Sequence, residues 1–108
     1  MGFKRTQSPT FGTEVVVNVP NDKGGFDRNT FFAKFKRPSG KERESLAKLT
    51  HEELLRKQLA GWDMKDEDTG EDVPFSAENL EAALEVLPTP LAAAMAFWET
   101  VNGARTKN

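Results

Sequence analysis

Few side chains in this sequence can make or break bonds. It holds one imidazole, His51, and no cysteine. Nucleophilic catalysis needs a Ser, Cys or Thr activated by an adjacent base. His51 stands beside Glu52 and Glu53 at a predicted helix start, where a surface histidine is expected. Zinc-type sites are equally starved of ligands. Oxygen donors are plentiful, and Asp66-x-Asp68-x-Gly70-x-Asp72 has the rhythm of a calcium loop. It departs from one in detail, since an EF-hand wants an oxygen ligand where Gly70 stands, and its glycine one position later. A solvated acidic turn is the expectation. No carboxylate lies in a pattern that predicts burial, the condition that would raise one acid above another for proton transfer. No glycine-rich phosphate cradle occurs. We therefore expect no enzymatic activity, no cofactor and no metal.

Nucleic-acid binding is a separate possibility. Lys34, Lys36, Arg37, Lys41 and Arg43 cluster around Phe31, Phe32 and Phe35, the mixture used by base-stacking platforms. On a strand, however, Phe31 and Phe35 fall on the face opposite Lys34 and Lys36. A small nucleic-acid module built on Lys34, Lys36 and Arg37 is therefore the alternative reading, not the leading one. The leading one is protein binding. Val16, Phe32, Phe97 and Trp98 exceed what a thin core can absorb, and apolar leftovers mark partner surfaces.

These residues have to be positioned by a small frame. The chain has 108 residues, 37% of them apolar and 30% charged, with 8 Phe and 2 Trp to build one core. Without cysteine there is no disulfide, which favours a cytosolic setting. The longest apolar run, Leu91 to Trp98, has 8 residues. A membrane-spanning helix needs about 20, so no span is expected. No apolar segment of the secretory type follows Lys4 and Arg5. Net charge is −2, but residues 1–61 carry 12 basic and 7 acidic side chains while residues 62–108 carry 3 and 10.

The expected architecture is α+β, an N-terminal antiparallel hairpin followed by three or four helices, with a short second hairpin or loop around 62–75. Residues 1–12 read as a flexible arm, 13–104 as a single domain and 105–108 as a frayed end. Val15, Val17 and Val19 form one face of a strand ended by Pro20, and Phe31, Ala33 and Phe35 alternate along the next. A long loop over the glycines Gly24 and Gly25 is expected to join them. Ser39 with Glu42 and Thr50 with Glu53 fit the helix capping box, and Gly61 fits an αL cap ending the second helix. Whether 39–60 forms one helix or two stays open. Ser76 caps a helix to Leu87 whose stripe is Leu80, Ala83, Leu84 and Leu87. Thr89 and Pro90 open a last helix with Leu91, Ala94, Met95, Trp98 and Val101 on one face and Phe97 beside it.

The order Leu59-Ala60-Gly61-Trp62-Asp63, then Asp66-Glu67-Asp68-Thr69-Gly70, then Val73-Pro74-Phe75-Ser76, then Glu78-Asn79-Leu80, resembles the tail assembly chaperones of long-tailed bacteriophages. Phe35-Lys36-Arg37, after a Val-rich strand and before a helical segment, is similar to the same family. The resemblance implies a non-enzymatic protein of a phage or prophage that acts in the bacterial cytoplasm. It would bind the long helical tape measure protein, recruit tail tube subunits around it, and be absent from the finished virion. A holder of amphipathic helices needs an apolar groove with a charged rim. Leu91, Met95, Phe97, Trp98 and Val101 are the candidate partner-binding residues, since Met adapts to varied partners and Trp supplies contact area. Val16, Phe32, Lys34, Lys36 and Arg37 are the candidates for self-association. There the basic half of one copy would meet the acidic half of the next, head to tail, in a contact that salt weakens.

Overall fold

A computed structural model describes residues 2–103, folded as α+β with a three-stranded antiparallel sheet and four helices. The hairpin forms as expected from β1 (Thr10–Pro20) and β2 (Phe26–Lys36), and β3 (Leu59–Asp63) joins the far side of β2. Alternation sets the register, because a slip of one residue would turn every apolar side chain outward. Val15, Val17, Phe31, Ala33 and Phe35 are buried on the inner face, while Glu14, Asn18, Lys34 and Lys36 are exposed on the outer one. The helical layer covers only the inner face.

The hairpin differs from expectation at both ends. Its connection is short, Asn21 to Gly25, because the Asn21 Oδ1 accepts from the amides of Lys23 and Gly25 and Gly24 takes a φ of +82°. At the other end the sheet begins at Thr10, inside the segment expected to be a free arm. Phe11 pairs with Phe35 in the ladder, and its ring lies 5.7 Å from the rings of both Phe35 and Phe97. Arg37 fastens this end: its amide donates to the Pro9 carbonyl at 2.8 Å and its Nε to the Ser8 carbonyl at 2.7 Å. The guanidinium also sits 5.5 Å from the Phe11 ring centre. Met1 and residues 104–108, including the expected frayed end, lie outside the described residues.

Two helices occupy 43–58, α1 (Arg43–Ala47) and α2 (His51–Gln58). The Ser39–Glu42 box forms only by half, with the Ser39 amide donating to the Glu42 carboxylate and no side-chain cap on α1. The Thr50–Glu53 box is complete in both directions. α2 ends at Gln58, not in a glycine cap at Gly61, because Leu59 to Asp63 pair with the open edge of β2 and Gly61 lies within that strand. Gln58 ties the junction, its Nε2 donating to the Lys36 carbonyl at 3.2 Å.

Ser76 caps α3 (Ala77–Leu84), its Oγ accepting from the Asn79 amide at 3.1 Å. α3 stops short of Leu87, which is 90% exposed and off the expected stripe. Val86 and Thr89 amides turn back onto Ala83 and Val86 carbonyls, and the chain bends by 105° into α4 (Thr89–Val101), whose N-cap position is Pro88 and not Thr89, with no side-chain cap. α4 lies over β1 and against α2. Its buried side is Ala93, Ala94, Ala96 and Phe97, so the apolar face is rotated from the one expected. Phe97 is fully buried, whereas Leu91 and Met95 are half exposed on the opposite side. Among the described residues no single helix is long and apolar enough to cross a membrane.

Glu53 and Glu42 are held below the ordinary value of a glutamate by hydrogen bonds from the amides of Thr50 and Ser39, and Glu81 by its bond from Arg56. A depressed carboxyl stabilises the fold above its unfolded value and loses that contribution as pH falls through the folded one. The urea midpoint should therefore drop between about pH 5 and pH 3, and Glu53→Gln should make the drop shallower. At neutral pH, Thr50→Ala should cost about 1 kcal/mol in the same urea titration.

Candidate functional site

The residues that could have carried chemistry are spread apart or tied to the backbone. His51 is exposed at the first turn of α2. In the acidic turn, the Asp66 Oδ1 accepts from the amides of Asp68 at 2.8 Å and Thr69 at 3.1 Å, and Thr69 Oγ1 accepts from Glu71. Its carboxylate is engaged by its own loop. Lys65 pairs with Asp72, whose hydrogen bond and charge raise the lysine's pKa, and the two residues also form an isolated bridge that closes the loop as a small hairpin. No described group of three or more His, Cys, Asp or Glu is placed to hold a metal ion.

The feature that stands out is a groove of about 660 Å³ at the hairpin end of the inner sheet face. Its floor is Val17, Val19 and Phe31, its far wall is Met64 with Ala83 and Val86 of the α3–α4 corner, and the polar Asn29, Thr30 and Thr89 also line it. It exists because the inner apolar alternation of β1 and β2 runs further than the helices that cover it. Val19 and Met64 are left half buried, and Val86 is 42% exposed. Arg28 marks the rim on the sheet side, and Lys65 and Glu67 on the loop side. Trp62 positions the loop wall. Its indole Nε1 donates to the Val73 carbonyl at 2.7 Å, and its ring meets Phe31 and Phe75 edge-on at 5.8 and 5.0 Å.

None of the expected partner-binding residues lines this groove. Leu91 and Met95, one turn apart, form an outward apolar patch on α4 with the half-buried Trp98 on its flank. Val101 is half buried and packs on the core, and Phe97 belongs wholly to the core, its ring 5.1 Å from Phe35. The outer sheet face carries the other set. Val16 is half buried, Phe32 is 51% exposed, and Lys34 and Lys36 follow Phe32 along the same face of β2. Phe32 lies over Gly12, where any Cβ would come within 2.5 Å of its ring, and its register partners are Glu14 and Asp63. Arg37 is taken up by Ser8 and Phe11.

The groove residues were missed because each has an ordinary core or turn reading. Only the surplus of the Val15, Val17, Val19 face over the available helix length hinted at them. In comparison with known proteins, the chain matches no family model, and no curated protein or solved structure is significantly similar to it.

Trp62→Phe removes the indole bond to Val73 and should cost about 1 kcal/mol of stability. Amide exchange should speed up at Val73 and Asp66, whose amides bond across the loop to the Met64 and Glu71 carbonyls, while the β1–β2 amides keep their protection.

Proposed function

We propose that this chain is a non-enzymatic tail assembly chaperone of a phage or prophage. It holds amphipathic helical segments of the tape measure protein in the host cytoplasm while tail tube subunits assemble around that protein. The observation that carries the reading is the groove: a trough of about 660 Å³ whose apolar side chains, Val17, Val19, Phe31, Met64, Ala83 and Val86, are set among polar ones that include the charged Arg28, Lys65 and Glu67. An amphipathic helix presents bulky side chains at i, i+3 or i+4 and i+7, and such a trough buries them while the rim meets the helix flanks. The resemblance of residues 59–80 to the chaperone family names the partner, and Trp62 and Ser76 within that stretch hold the groove's loop wall and start its α3 wall.

The alternative, a nucleic-acid module on Lys34, Lys36 and Arg37, has less support. Phe32 is pinned over Gly12 between two acidic register partners, and Arg37 is occupied. Carboxylates beside the ring repel phosphates.

The test is co-expression with a tape measure protein of a long-tailed phage. The partner should move to the soluble fraction and copurify. Val86→Asp changes an exposed groove residue and should reduce recovery about tenfold by burying an unpaired charge, with the unfolding transition unchanged. A tape measure protein that is equally soluble alone, or equally well held by the variant, overturns the reading.

A further inference from the structure

We propose that the outward face of α4 docks a basic amphipathic helix of another protein, which lays its apolar ridge on Leu91, Met95 and Trp98 and sets its lysines or arginines against Glu99. This face lies apart from the groove, to which α4 contributes only Thr89, and the inference is independent of the chaperone reading.

α4 is committed to the rest of the molecule on one side. At 3.6 residues per turn, Thr89, Pro90, Ala93, Ala94, Ala96 and Phe97 share the side that meets β1 and α2, and they are buried. Leu91, Met95 and Asn102 mark the opposite side, with Trp98 on one flank and Ala92 and Glu99 on the other. Leu91 is 51% and Met95 52% exposed. A single exposed apolar residue is ordinary, but here two stand one turn apart with an indole beside them.

The two tryptophans are used differently. Trp62 gives its indole N–H to the Val73 carbonyl. Trp98 packs its ring edge-on against Phe97 at 5.0 Å, and its N–H meets no acceptor among the described residues. No buried side-chain nitrogen or oxygen there lacks a partner, so this N–H opens to the surface. A half-buried Trp with an unused donor, next to an adaptable Met, has the make-up of a binding hot spot.

Size and charge choose the occupant. A globular partner of standard size takes about 20–30 residues a side. A ridge of three apolar side chains falls far short of that and fits one helix laid along it, not a second copy of this chain. From Asp66 to Gly103 the sequence has no lysine or arginine. Arg56 takes up Glu81 and Lys65 takes up Asp72, whereas Glu85 and Glu99 are exposed and hold no ion pair among the described residues. The last turn of α4 has no basic residue, so its carbonyl end keeps its partial negative charge. Arg105 and Lys107, the next cations in the sequence, lie outside the described residues. A cationic helix meets opposite charge on this face, and an acidic one is repelled.

The test is a titration of the full chain, followed by the nuclear magnetic resonance signals of its indoles and amides, with two capped synthetic helices. One has leucine and lysine at amphipathic spacing, and the other has glutamate in place of lysine. The leucine–lysine peptide should shift the Trp98 indole and the Leu91 and Met95 amides and leave the Trp62 indole in place. The glutamate peptide should bind about tenfold more weakly. Met95→Lys sets a cation on an exposed part of the ridge and should weaken the leucine–lysine peptide about tenfold. Glu99→Gln should weaken it about threefold, and removing an acid from a helix C-terminus does not threaten the fold. Shifts confined to Val17, Val19 and Met64 would put the peptide in the groove, and shifts confined to residues 66–72 on the acidic loop. Either overturns this proposal and leaves the chaperone reading standing. So do equal affinities for the two peptides, or indifference to Met95→Lys or to Glu99→Gln. A Trp98 signal that moves when the chain alone is concentrated, or on adding phosphatidylcholine vesicles, overturns it too, since a second copy or a bilayer would then cover the face.

Discussion

The fold depends on one aromatic contact. Phe97 of α4 sits 5.1 Å from Phe35 at an edge-on angle of 70°, and Phe11 closes the group 5.7 Å from each. These three rings come from the start of β1, the end of β2 and the middle of α4. A hairpin is barely stable alone in water, and the short helices of this chain need a surface to lie on. The cluster supplies what each lacks. Removing a buried Phe costs about 3–5 kcal/mol, against a total of about 5–15 kcal/mol for a whole domain, so α4 and the sheet stand or fall together.

A single helical layer anchored at one end of the sheet has two geometric consequences. The cluster sits where β1 begins, and the helices cover the inner face from there toward the hairpin turn. They end before the alternation of Val17, Val19 and Phe31 does, and the uncovered remainder becomes the groove. Nothing in the described chain covers the outer face, so Phe32 finds its cover locally by lying over Gly12.

Much of this frame was legible because it depends on local pattern. The faces of β1 and β2, the Thr50–Glu53 box and the Ser76 cap are each fixed by residues within a few positions of one another. What was not legible depends on distant partners. Phe11 looked like part of an arm because only Phe35 and Phe97 give it a role. Gly61 looked like a helix cap because its strand needs the open edge of β2. On α4, Leu91, Ala94 and Met95 share an apolar spacing with Ala93 and Phe97, and the residue types alone do not say which set faces the sheet. Docking on β1 and α2 selects the alanine-rich side, since small residues let the helix approach closely and leave room for the one large ring. The candidate groove inherits the same difficulty, as Val86 and Met64 acquire their place only when the α3–α4 bend and the acidic loop converge.

The charge division along the sequence is also partly undone in space. Arg56, from the basic half, makes a two-pronged bond to Glu81 of the acidic half at 2.7 and 2.9 Å. Lys65 neutralises Asp72 within the acidic loop. The dipole thus closes to some degree on itself, which leaves less attraction for a head-to-tail neighbour than the sequence totals suggest. Surface attraction of that kind is weak and screened. The groove instead offers apolar area and selects by shape, since a trough rewards side chains projected from one side of a helix.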